Sequence, residues 1–120
     1  MPTPEGRVKN KLRRLLGAYT GMYTYWPVPF GYGRTTLDVL GCYRGRFFSV
    51  ETKAEGKKPT LKQTMEQQSI ERAMGRAFTI SGMDSPGFDE LRVWLDELTG
   101  SIPDDPRITP DRTNRRPISG

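Results

Sequence analysis

Apolar residues near the start of the chain recur at three- and four-residue spacing. Val8, Leu12, Leu15 and Leu16 form one stripe, which predicts an amphipathic helix. Thr3 is placed to cap this helix and Pro4 to fill its first position, so the helix is predicted from Pro4 to about Ala18. The period then changes. From Tyr19 to Gly33 aromatics and glycines dominate, with Met22 to Trp26 reading as a strand and Pro27 to Gly33 as an irregular loop. Leu37 to Tyr43 and Arg46 to Lys53 are strand-like runs flanking Arg44-Gly45, where the glycine suits a positive φ, and they predict a β-hairpin. After a basic loop from Ala54 to Pro59, Thr60-Leu61-Lys62-Gln63 has the form of a capping box, opening a helix that reaches about Met74 and ends at Gly75. Ala77 to Ser81 makes a short strand. Ser85-Pro86 starts a last helix with Phe88, Leu91, Leu95 and Leu98 on one face and Gly100 as its stop.

The predicted order is α, β, β, β, α, β, α. It implies an α/β fold over residues 1–100, with a mixed central sheet of about four strands and with the first helix and the post-hairpin helix packed across it. Residues 101–120 carry four prolines, mixed charges and almost no bulky side chains, so they are expected to form a flexible tail that cannot offset its ordering entropy. No apolar run approaches the ~20 residues that span a bilayer. The first five residues lack the basic-then-apolar order of a signal peptide, so a cytoplasmic protein is expected.

Composition narrows the chemistry. The chain has no histidine and one cysteine, Cys42, which excludes internal disulfides, zinc fingers and nucleophilic schemes that need an imidazole. Carboxylates, lysines, tyrosines and hydroxyls remain, and any metal site must be rich in oxygen. Such ligands select magnesium or manganese, ions associated with phosphate chemistry. Nineteen Lys and Arg against fourteen Asp and Glu give a net charge of +5, which favours a polyanionic partner without requiring one.

The hairpin supplies the candidate site. A loop symmetric about Arg44 and Gly45 sets Tyr43 opposite Arg46, Val39 opposite Val50 and Asp38 opposite Glu51. Facing residues have Cβ atoms ~5 Å apart. Lys53 shares the Glu51 face, while Val39, Gly41, Phe48, Val50 and Thr52 fall on the other, which reads as the buried side. Two ionised carboxylates at that separation repel by about 3 kcal/mol at an effective dielectric of 20, so a counter-charge is expected. Lys53 or a divalent cation between the acids would supply it. A solvated face carrying a salt-bridge network explains the same three residues. Glu5 lies at the amino-terminal end of the first helix's apolar stripe, a position that the helix dipole also favours for an acid. Gln63 is accounted for by the capping box.

The ordered set Glu5, Asp38, Val50-Glu51-Thr52-Lys53 and Gln63 resembles the PD-(D/E)XK nuclease superfamily. Within it, the approach from Gly33 to Asp38, the Glu-X-Lys strand and the Thr60-Leu61-Lys62-Gln63 helix start are most similar to stand-alone VRR-NUC (virus-type replication-repair nuclease) domains, over about residues 5 to 82. In this chain Leu37 stands where that pattern usually has proline. The resemblance implies a restriction-endonuclease-like core, with Asp38 and Glu51 as metal ligands and Thr52 offering its backbone carbonyl. It further implies Lys53 as the catalytic lysine, Glu5 touching metal through water and Gln63 supporting the site. The cofactor implied is Mg2+, with Mn2+ substituting.

The function implied is a structure-selective DNA endonuclease, a Holliday junction resolvase of replication, recombination or repair. It would act as a homodimer on branched DNA, in association with the nucleoid or in a host cytoplasm if the source is viral. A nickase or flap-type nuclease of the same chemistry and a non-catalytic DNA-binding module are the alternatives. Backbone contacts to DNA are expected from Arg7, Lys11 and Arg14, from Arg34, and from Lys57, Lys58 and Lys62. The aromatics Trp26, Phe30 and Tyr32 suit either unpaired bases or a dimer interface.

Overall fold

The computed structural model describes residues 3–27 and 37–101. Thr3 accepts the Gly6 N–H at 2.9 Å and so caps helix α1, Pro4–Gly17, whose apolar stripe Val8, Leu12 and Leu16 is buried. Three strands follow: β1 (Tyr23–Tyr25), β2 (Val39–Tyr43) and β3 (Arg46–Lys53). Helix α2 (Leu61–Arg72), strand β4 (Arg76–Ser81) and helix α3 (Pro86–Ser101) complete the predicted order. The strands lie in the order β1-β2-β3-β4, antiparallel for the first two pairs and parallel for β3 with β4.

The hairpin keeps the register that its turn dictates. Tyr43 pairs with Arg46, Gly41 with Phe48 and Val39 with Val50, around Arg44 and Gly45 at φ 51 and 83. Alternation then divides the sheet. Val39, Tyr43, Phe48, Val50, Phe78 and Ile80 join the stripe of α1 and Phe88, Leu91, Leu95 and Leu98 of α3 in one core. Each of these buried aliphatic and aromatic side chains contributes about 1.5–3 kcal/mol by leaving water. Gly41 is required there, because a Cβ at that position would lie 2.4 Å from Cζ of the buried Phe48 ring. Tyr19 and Tyr43 meet edge to face, and Tyr19 donates to Asp96 at 2.7 Å, fastening the end of α1 to α3.

Helix α2 lies on the opposite face and is attached differently. Ile70 is its buried residue, and Gln67 reaches Thr79 on β4 at 2.9 Å. Helices α1 and α2 both pack on the sheet as expected, on opposite faces: α1 shares the apolar core with α3, whereas α2 sits on a polar face. Apart from Ile70, the side chains by which α2 reaches the strands are polar, Gln67 and Glu71 among them, and so are invisible to an apolar count. On the outermost strand β1, Tyr23 and Tyr25 are 65% and 54% exposed.

Some boundaries also move. Strand β2 begins at Val39, two residues later than expected, and α2 stops at Arg72 with Met74 beyond it in the left-handed region at φ 73. Gly100 does not stop α3, which runs through it to Ser101. The tail expected at 101–120 falls, beyond Ser101, outside the described residues, as do Phe30, Tyr32 and Arg34.

Candidate functional site

Beyond the Val39–Val50 rung the hairpin continues through side chains. The Asp38 N–H donates to Glu51 Oε1 at 3.2 Å, and the Thr52 N–H donates to Asp38 Oδ2 at 2.8 Å. The Thr52 hydroxyl donates to the same Asp38 oxygen. Asp38 and Glu51 are thus opposite each other as the turn register requires, but carboxylate oxygens take over as acceptors where backbone pairing ends.

Glu51 is only 1% exposed, with Ser49 and Thr52 also buried on the same strand. A solvated surface network is excluded for Glu51 by that burial, since α2 lies over it. Its second oxygen, Oε2, accepts from Gln63 Nε2 at 2.7 Å and pairs with Lys53 Nζ at 3.3 Å. Gln63 also accepts the Thr60 N–H at 2.9 Å and donates its own N–H to Thr60 Oγ1 at 3.1 Å, closing the capping box of α2. Burial, then repulsion from Asp38, pushes the Glu51 carboxyl from its ordinary 4.5 up to about 7, with Lys53 opposing the rise.

The structure adds one residue, Lys9, that was not among the candidates read from the sequence. Lys9 Nζ lies 3.6 Å from Asp38 Oδ1, so two carboxylates are matched by two ammonium groups. Its signal was slight: Lys9 follows the buried Val8 and sits one turn after Glu5, on the border of the apolar stripe. Thr52 was singled out for its carbonyl, and its hydroxyl contact with Asp38 was missed.

Glu5 is half-buried in the first turn of α1. Among the described residues no group of three or more acidic, Cys or His side chains is placed to hold a metal, so Glu5 is not a third direct acid beside Asp38 and Glu51. The acidic donors brought together at the end of the hairpin are therefore the two hard carboxylates of Asp38 and Glu51. Two carboxylates suit a magnesium-like ion, which retains several of its waters.

Arg7, Arg14, Lys57, Lys58 and Lys62 are exposed. Lys11 is partly engaged, donating to the Met83 carbonyl at 2.8 Å and lying over the Phe88 ring. Trp26 packs, partly buried, against the core with Arg13 stacked over its ring at 3.9 Å. Among the described residues no helix is long and apolar enough to cross a membrane.

No protein-family model and no curated protein matches the sequence. A solved structure described as a VRR_NUC domain is similar with a TM-score of 0.55 and 24% sequence identity, covering 81% of this chain and 95% of that one. The mixed four-stranded sheet with its three helices is thus a VRR-NUC-like, restriction-endonuclease-like α/β fold.

Proposed function

We propose that this protein is a divalent-cation-dependent deoxyribonuclease that hydrolyses phosphodiester bonds. The observation that carries this reading is the pairing of Asp38 with buried Glu51 at the end of the hairpin, with Lys53 3.3 Å from Glu51. Likeness of fold to a domain whose name denotes a nuclease supports it.

Asp38 and Glu51 would hold Mg2+, or Mn2+ in its place, together with the Thr52 carbonyl. When bound, the ion supplies Lewis-acid polarisation of the scissile phosphate and a more acidic water. Lys53, anchored at Glu51, then orients the attacking water or stabilises the charge that develops on the phosphate. Gln63 holds Glu51 by its amide, and the half-buried Glu5 helps position water at the edge of the site. Arg7, Lys11, Arg14, Lys57, Lys58 and Lys62 give the backbone an electropositive track, and Arg34 is proposed to join them.

The absence of any large recognition insertion between these elements favours a substrate read by shape, such as a four-way junction. A homodimer would place one site on each of two symmetric strands. The deciding experiment compares magnesium-dependent cleavage of a four-way junction and a linear duplex of matched sequence by the wild type and Asp38→Ala. Junction-selective cutting that the substitution abolishes is expected. Cutting of duplex and junction alike would leave the nuclease and remove the resolvase. Binding without cutting, in magnesium and in manganese, would overturn the enzyme and leave a DNA-binding module.

A further inference from the structure

Asp38 has one oxygen committed to the protein and one turned to a lysine. Oδ2 accepts from both the N–H and the hydroxyl of Thr52, whereas Oδ1 faces Lys9 Nζ at 3.6 Å. The oxygen that Asp38 can most readily offer to a cation is therefore the one beside Lys9. Lys53 has a different place, on Glu51 Oε2. The Lys9 side chain is also the more exposed of the two lysines, 35% against 17%, so its ammonium has water to move into.

We propose that Lys9 and a divalent cation compete for Oδ1 of Asp38, making Lys9 an exchangeable counter-ion of the site. The inference rests on the nuclease reading and adds to it a positioning residue from α1. Without a counter-charge, Asp38 and Glu51 repel each other across the end of the hairpin, and Lys9 relieves that repulsion from the Asp38 side. Asp38 and Glu51 together would hold a divalent ion, which would supply twice the charge of one ammonium, so Lys9 would be released from Asp38. The displaced group stays near the site, because its backbone is fixed by the buried neighbour Val8. An ammonium released beside the acids then faces the anionic backbone of the substrate.

The test is a calorimetric titration of Mg2+, and separately Mn2+, into wild type, Lys9→Met, Lys9→Arg and Arg13→Met, each first shown by thermal melting to be folded. Arg13 is on the same helix but stacks on Trp26, so its substitution controls for net charge. Removing a partly exposed competing ion pair is expected to tighten cation binding about fivefold in Lys9→Met. No gain is expected in Lys9→Arg or Arg13→Met. Equal affinity in wild type and Lys9→Met would overturn the competition while leaving the nuclease reading intact. Equal tightening in Lys9→Met and Arg13→Met would reduce the effect to net charge and overturn it as well. Failure of every protein to bind either ion would overturn both readings together.

Discussion

Gln63 donates its side-chain amide to Glu51 Oε2 at 2.7 Å while its amide oxygen accepts the Thr60 N–H at 2.9 Å. One residue therefore closes the cap of α2 and holds a buried carboxylate. Because the cap takes the oxygen, the amide has a single orientation that satisfies both contacts, with nitrogen toward Glu51. The local motif that starts the helix thereby orients the site.

Gln63→Glu keeps an acceptor for the cap but sets an oxygen against Glu51. A loss of about 1–3 kcal/mol is expected. Thr60→Ala, which removes the other half of the box, is expected to lose about 1 kcal/mol. Each 1 kcal/mol corresponds to roughly 4–8 °C in Tm for a domain of this size. Thermal denaturation near pH 8 checks both, and an unchanged Tm for Gln63→Glu would show that the amide does not hold Glu51.

The raised Glu51 carboxyl, at about 7 against an ordinary 4.5, gives stability a defined dependence on pH. The folded state binds this proton more tightly than the unfolded chain. Its contribution is therefore fully present below the ordinary value and is lost as pH rises through the folded one. The full difference is about 3 kcal/mol. Urea unfolding without divalent cations should show stability falling between about pH 5 and pH 8, and Glu51→Gln should flatten that fall. Magnesium should reduce it in the wild type, because a bound cation favours the ionised carboxylate. A wild-type profile flat across this range would contradict the buried, repelled state of Glu51.

Lys53 is expected to act on the reaction more than on binding. Lys53→Met should slow single-turnover cleavage by about 10²–10³-fold if its ammonium stabilises charge at the phosphate. DNA affinity measured with calcium in place of magnesium should change little. A large loss of affinity with an unchanged cleavage rate would make Lys53 a binding residue instead.

Packing gives a prediction independent of function. Gly41→Ala forces a methyl group to 2.4 Å from the Phe48 ring, which is fully buried and has nowhere to move. It should destabilise by about 1–3 kcal/mol. Gly17, the last residue of α1, has nothing within 4 Å of an added Cβ, so Gly17→Ala should stabilise by up to about 1 kcal/mol. Equal Tm values for the two alanine variants would refute this account of the hairpin.

Much of the fold was legible because its signals are local. The stripe of α1, the Thr3 and Thr60 caps and the turn at Arg44-Gly45 act within a few residues. The turn alone sets the pairing of every β2 residue with β3, so the approach of Asp38 to Glu51 followed from counting along the hairpin.

The sequence by itself determined the order of elements, the hairpin register and the identity of Asp38, Glu51, Lys53 and Gln63 as one candidate group. Only the tertiary structure decided that α3, and not α2, shares the core with α1, that Glu51 is buried, and that Lys9 stands at Asp38. Alternation along a strand states which residues share a face, but not what covers that face. Polar side chains of α2, among them Gln63, Gln67 and Glu71, reach the strands and leave no apolar period, and Lys9 meets Asp38 only once α1 has docked on the sheet. Proximity between residues far apart in sequence is set by the packing of whole elements, and local preferences do not encode it.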